Sequence, residues 1–156
     1  MVSVLVVCTG NTCRSPMAEA LLKQKAADAG LSGKVRIASA GIAAGGTFPA
    51  SQHAYSVMKE RKLDLGSHRS HQLTAEDIHA ADLILTMTKN HQQAILSYLP
   101  EVRNKVFTLP EYAGLAADVA DPFGGDSHVY RLCADQIAQL VDKVWEKIVV
   151  LAGKKV

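Results

Sequence analysis

The sequence has 156 residues, 48% of them hydrophobic, three cysteines and a formal net charge of +2. That length and apolar content predict one domain over residues 1–156 with its own core. Apart from Lys154-Lys155, at an end expected to fray over 153–156, the basic residues are scattered; this argues against nucleic acid or a membrane surface as partner, and three cysteines without zinc-type spacing predict neither a disulfide framework nor a metal.

The first apolar run, Val4-Leu5-Val6-Val7-Cys8, reads as a strand. It is too short for a signal peptide or a membrane span, so the expected location is cytoplasmic, where thiols stay reduced. Gly10 and Asn11 then curl the chain, and Ser15-Pro16 read as a helix cap and first helical position. Strand, loop and helix together aim amide hydrogens and the positive end of a helix dipole at one spot, which suits an anion, phosphate above all. Cys8 begins this cradle and Arg14 ends it, with five residues between them. A thiol thus sits under the anion while a planar fork grips its oxygens. The same field favours the thiolate, a nucleophile already in place. The spacing alone is weak, since a buried strand cysteine and a surface arginine would satisfy it; the strand–loop–helix context carries the reading.

The helix that follows has an apolar stripe at Met17, Ala20 and Leu21, turns Lys23 and Lys25 to water, and ends at Gly30. Val35–Gly41 reads as a parallel partner strand completing a βαβ unit. Ser39 lies near the same carboxyl end as the Cys8 loop, free either to bond that loop or to be satisfied by backbone. Residues 43–49, with Gly45, Gly46 and Phe48, form a connection expected over the anion site. A second amphipathic helix carries His53, Ala54, Val57, Met58 and Arg61, with His53 on its face rather than in a site. Residues 67–73 form a polar loop, Thr74-Ala75-Glu76-Asp77 is a capping signature, and His71 and His79 are expected at the surface.

Asp82–Met87 is a short, nearly continuous apolar stretch, as a central parallel strand requires. Thr88 caps a helix whose His91, Ala94, Ile95, Tyr98 and Leu99 share a face, stopped by Pro100. Residues 105–109 form a fourth, edge strand. The segment 110–127 is too long for mere connection and holds Asp118, Asp121 and Asp126. Asp121 is followed by Pro122, which fixes the backbone, and by Phe123, which is expected to wall the site and exclude water; on spacing alone the other two aspartates compete with it. The final helix buries Val129, Cys133, Ile137, Leu140, Val141, Val144, Ile148 and Leu151, with Cys133 as a small hydrophobe.

Cys8-Thr9-Gly10-Asn11-Thr12-Cys13-Arg14-Ser15-Pro16, with the later Asp121-Pro122, resembles the low-molecular-weight protein tyrosine phosphatase family over essentially the whole chain. Thr12 and Asp121-Pro122-Phe123-Gly124-Gly125 are similar to its bacterial protein-arginine-phosphatase branch. The resemblance implies a single α/β domain with a four-stranded parallel sheet, order 2-1-3-4, and helices on both faces. It also decides among the aspartates for Asp121, as general acid and then base. Cys8 is the implied nucleophile, forming a phospho-cysteine, and Arg14 holds the phosphoryl charge. Thr9, Gly10, Asn11, Thr12, Cys13, Ser15 and Phe123 are implied substrate contacts, and Ser39 and His68 are implied supports of the loop asparagine. Cys13 either fills space beneath the loop or traps an oxidised Cys8 as a disulfide, which the resemblance favours.

The resemblance implies a phosphorylated protein as substrate, no cofactor and no metal, and the expected state is a monomer. Thr12 stands where tyrosine-directed relatives carry a larger aliphatic residue, leaving room for a guanidinium; phosphotyrosine is the alternative. An arsenate reductase would need further cysteines after the third strand, and residues 82–110 contain none. A non-catalytic phosphate-binding module is argued against by Cys8, Arg14 and Asp121 standing together.

Overall fold

In a computed structural model that describes residues 1–154, the apolar run forms β1 (Val2–Cys8), one of the two inner strands of a four-stranded parallel sheet. It pairs on one side with β2 (Val35–Gly41) and on the other with β3 (Leu83–Thr86), and β4 (Val106–Thr108) closes the far edge. The order is β2-β1-β3-β4, with Cys8 opposite Gly41 and Val7 opposite Thr86. The carboxyl ends of the strands therefore meet where β1 passes into its loop.

Alternation along β1 builds two cores. Val2, Val4, Val6 and Cys8 face α1 (Arg14–Asp28), α2 (Gln52–Glu60) and α6 (Ser127–Lys154). Leu5 and Val7 face α3 (Ala75–Ala80) and α4 (Lys89–Tyr98), meeting Ile78, Ile84, Ile95 and Val106. Each such aliphatic side chain removed from water contributes about 1.5–3 kcal/mol, so β1 is held from both faces. No helix among the described residues is long and apolar enough to cross a membrane.

Several local expectations are corrected. Helix α1 begins at Arg14 with Cys13 at the cap position and no side-chain cap, so Ser15 is inside the first turn rather than capping it. Lys25 is only partly exposed and pairs with Asp142 at 2.6 Å. On α4, Ala94 and Tyr98 are exposed, and the buried stripe is His91, Ile95 and, in part, Leu99, because the capping box of Thr88 and His91 turns His91 inward. Pro100 opens a 3₁₀ turn, and the expected long loop begins as a one-turn helix, α5 (Leu109–Tyr112), capped by Thr108. On α6, Val129 is exposed and Tyr130 takes the buried position, since Tyr130, Cys133, Ile137 and Leu140 set the stripe facing α1 and α2. Of the end expected to fray, Gly153 and Lys154 stand in the last turn of α6, and 155–156 lie outside the described residues.

Candidate active site

The loop from Cys8 to Arg14 is fastened by its own carbonyls. Ile42 and Ala43 donate their amides to Cys8 and Thr9 oxygens at 3.0 and 2.9 Å, and Ser51 donates to the Thr12 oxygen at 2.9 Å. Gly41 makes this contact possible, because a Cβ there would stand 2.5 Å from the Thr9 carbonyl oxygen. Asn11 adopts φ 58°, the left-handed region that asparagine tolerates better than most residues. Four bonds hold it there. His68 Nε2 donates to its carbonyl at 2.7 Å, the His71 amide donates to Oδ1 at 2.9 Å, and Nδ2 donates to Ser15 Oγ at 2.7 Å and to Ser39 Oγ at 2.9 Å. Ser39 passes its own hydrogen to Glu19 Oε1.

This proton bookkeeping reaches the sulfur. Ser15 Oγ accepts from Asn11 and lies 2.9 Å from Cys8 Sγ; when Cys8 is a thiolate, which can only accept, the serine hydroxyl is the donor. A thiolate there is stabilised by a fixed donor and by the uncapped amides of the first turn of α1.

Arg14 is buried, with Nη1 donating to the Val119 carbonyl at 2.9 Å and Nη2 reaching Thr9 Oγ1 at 3.4 Å and Asp121 Oδ2 at 3.7 Å. Val119 is itself pinned, its amide donating to the Met87 oxygen at 3.0 Å, so the end of β3 positions both the arginine and the aspartate loop. A buried guanidinium left with unused N–H groups is costly unless an anion completes it. The space beside it is a 240 Å³ pocket lined by Cys8, Thr9, Gly10, Thr12, Cys13, Arg14, Asp121 and Phe123. A larger depression of 320 Å³ is lined by Glu19, Ser39 and His68 among others, but by no cysteine and not by Arg14.

The pocket gathers most of the expected residues, with exceptions. The side chains of Asn11 and Ser15 are fully buried and hold the loop instead of lining the pocket. Phe123 stands at the mouth but is 81% exposed, so it does not shield Asp121, whose side chain is half in solvent and whose Oδ1 accepts the Phe123 amide at 3.0 Å. No residue of 43–49 lines the pocket; the segment meets the loop through the Ala43 amide, which donates to the Thr9 oxygen. Asp126 caps α6 through the Val129 amide, and Asp118 accepts from the Lys89 amide at the start of α4.

Three participants were not singled out from the sequence. Gly41 is required by approach, and nothing in the strand pattern of β2 marks it. His91 is buried and bonded to Thr9; the capping spacing Thr88–His91 was its available signal. Tyr130 places its hydroxyl 3.3 Å from Cys13 Sγ, which also meets Ser51 Oγ at 3.4 Å; burial and the Cys13 contact push its pKa up to about 12. Burial likewise pushes the Cys133 thiol up to about 12, in keeping with a packing role.

The family model of low molecular weight phosphotyrosine protein phosphatase matches residues 3–150. A protein-arginine-phosphatase of Geobacillus stearothermophilus is 45% identical over 93% of this chain and 95% of its own. A probable low molecular weight protein-tyrosine-phosphatase, EpsP, of Ralstonia nicotianae is 40% identical over 90% of this chain and 91% of its own. Among solved structures, the YwlE arginine phosphatase, as a mutant with a phosphorylated active site serine, superposes with a TM-score of 0.87 at 42% identity, covering 94% of this chain and 95% of that one. A matching loop, sheet order and pocket, with relatives of this identity over nearly the whole length, place the chain in the low molecular weight phosphotyrosine protein phosphatase family.

Proposed function

We propose that this chain is a cysteine-dependent phosphoprotein phosphatase that acts on phosphoarginine through a phospho-Cys8 intermediate. The observation that carries the reading is the convergence of the Ser15-bonded Cys8 thiol, the Arg14 guanidinium and the Asp121 carboxyl on one anion-sized pocket. Arg14 has five N–H groups and commits only part of them to Val119 and Thr9, which leaves donors for phosphoryl oxygens.

The chemistry follows in two steps. The Cys8 thiolate attacks phosphorus as the phosphorus–nitrogen bond breaks, and the departing guanidine takes the proton of the Asp121 carboxyl. Water then attacks the phospho-cysteine, gives its proton to the Asp121 carboxylate, and returns the sulfur electron pair to Cys8 as orthophosphate leaves. Arg14 and the loop amides hold the equatorial oxygens throughout. A relative whose active-site serine is phosphorylated supports attachment at this position.

Two considerations favour arginine. Thr12 places a small hydroxyl at the rim, which leaves room for a planar polar group, and a relative at 45% identity is a protein-arginine-phosphatase. Phosphotyrosine is the second reading, favoured by the relative at 40% identity and by the open mouth at Phe123. The proposed setting is a monomer in the cytoplasm acting on phosphorylated proteins, in keeping with a catalytic thiol that must stay reduced.

The test is kcat/KM on a phosphoarginine peptide and a matched phosphotyrosine peptide, for wild type, Thr12→Ile and Cys8→Ser. The expected result is a phosphoarginine preference that Thr12→Ile reverses and Cys8→Ser abolishes. Preference for phosphotyrosine in wild type and Thr12→Ile alike would move the chain to the tyrosine-directed branch.

A further inference from the structure

His91 is buried at the start of α4 with both ring nitrogens committed. Nδ1 lies 3.2 Å from the Thr88 amide, which can only donate, so Nδ1 is an acceptor and the ring proton sits on Nε2. Nε2 therefore donates to Thr9 Oγ1, 2.8 Å away. Burial and the neighbouring Arg14 hold the His91 pKa down to about 4, so the neutral ring and this tautomer persist at neutral pH.

Arg14 Nη2 donates to the same Thr9 oxygen at 3.4 Å. Two donors converging on one hydroxyl occupy both of its lone pairs. The hydrogen of Thr9 must take the remaining tetrahedral direction, and no acceptor among the described residues receives it. Thr9 lines the pocket together with Cys8 and Arg14.

We infer that His91 is a positioning residue for catalysis: by holding the Thr9 oxygen as an acceptor, it commits the Thr9 hydroxyl to donate to a nonbridging oxygen of the transferred phosphoryl group. This rests on the phosphatase reading above. An unrestrained threonine hydroxyl would spend part of its time presenting lone pairs to an anion, which repels it. A hydroxyl fixed as donor needs no reorganisation as charge builds on those oxygens. The second bond of His91, to the Thr88 amide, anchors the ring to the helix terminus, so the device is as rigid as the start of α4.

The two ring nitrogens can be replaced separately. Asparagine at 91 puts a carbonyl oxygen near the place of Nδ1, keeping the bond to the Thr88 amide and losing the donor to Thr9. Glutamine reaches the place of Nε2, keeping that donor and losing the helix-terminal acceptor.

The experiment measures Tm and kcat/KM on the preferred phosphorylated peptide for wild type, His91→Asn, His91→Gln, Thr9→Val and the double variant Thr9→Val with His91→Asn. His91→Asn is expected to keep Tm near wild type and lose about 10-fold in kcat/KM, as for one lost hydrogen bond. His91→Gln is expected to lower Tm yet recover kcat/KM to within about threefold of wild type. Thr9→Val, which removes the hydroxyl itself and an acceptor of Arg14, should lose at least as much as His91→Asn, and the double variant should be no worse than Thr9→Val alone, because His91 acts through that hydroxyl. Multiplying losses in the double variant, wild-type activity in His91→Asn, or activity that merely tracks Tm would each overturn the inference. A wild type without phosphatase turnover removes the underlying reading as well, whereas normal turnover abolished by Cys8→Ser, with any of those three outcomes, removes only the role of His91.

Discussion

Ser15 Oγ stands 2.9 Å from Cys8 Sγ while accepting a hydrogen bond from Asn11 Nδ2, so a Cys8 thiolate, which can only accept, takes the serine hydrogen. Both groups are buried, where a fixed donor to an anion is worth more than in water. Removing it leaves the thiolate without its side-chain donor and Asn11 with one N–H unmet. Ser15→Ala should therefore slow iodoacetamide alkylation of Cys8 at pH 7 by about 10-fold, and kcat by at least as much, as expected for a hydrogen bond to a charged group. Unchanged alkylation would mean that the amides of α1 hold the thiolate unaided.

Gly41 offers a second test of how the loop is held. A methyl group there would meet the Thr9 carbonyl oxygen at 2.5 Å and the Asn11 amide at 3.0 Å, both backbone atoms that cannot rotate away. Gly41→Ala should destabilise the fold by about 1–3 kcal/mol, the usual range for overpacking, seen as a lower urea midpoint. Activity should fall further than stability accounts for, because the displaced atoms belong to the loop that follows Cys8. A variant of full stability and full activity would show that β2 retreats from the loop without cost.

The loop that brings Cys8 and Arg14 to one pocket, and the sheet behind it, were legible because their information is local or periodic. An apolar run ending in Cys8, a Gly10-Asn11 curl and a following helix state strand, loop and helix within one short stretch. What escaped is long-range. Ser15 looked like a cap because its sequence position suits one, yet its hydroxyl is claimed by Asn11, itself fixed by His68 and His71 from beyond β2. The partner of His91 is Thr9, 82 positions away, and no helical period could indicate which face of α4 would turn to it. Phe123 was expected to wall the site from its place just after Asp121-Pro122; the loop is pinned to the sheet at Val119, and the ring beyond it stands 81% exposed.

The buried neutral His91 makes stability depend on pH in a definite direction. Its pKa is lowered from 6.5 to about 4 in the folded chain, by burial first and Arg14 second, against the opposing pull of Asp118 and Asp121. Below 6.5 the unfolded chain binds a proton that the folded chain refuses. The stability of the native state is thus complete above pH 6.5 and drains away as pH falls toward 4, by up to about 3 kcal/mol from this residue. Urea midpoints at pH 7 and pH 5 should differ more for wild type than for His91→Asn, which has no such proton to refuse. Equal differences would place the acid sensitivity in other groups.

Cys13 is the remaining choice between packing and chemistry. Its thiol lies among Ser51, Tyr130 and Thr12, buried like Cys8 and on the same loop. Peroxide oxidises a Cys8 thiolate to a sulfenic acid; attack by the Cys13 sulfur on that sulfur expels water and leaves a disulfide, which a dithiol returns to two thiols. Without a second thiol, the sulfenic acid meets further peroxide and passes to the sulfinic acid, which a dithiol does not reverse. Wild type treated with peroxide and then dithiothreitol should recover most of its activity, with a mass loss of 2 Da before reduction, whereas Cys13→Ser should recover little and gain oxygen on Cys8. Equal irreversible loss in both would leave Cys13 as a side chain that fills the space beneath the loop and is bonded to Tyr130 for packing alone.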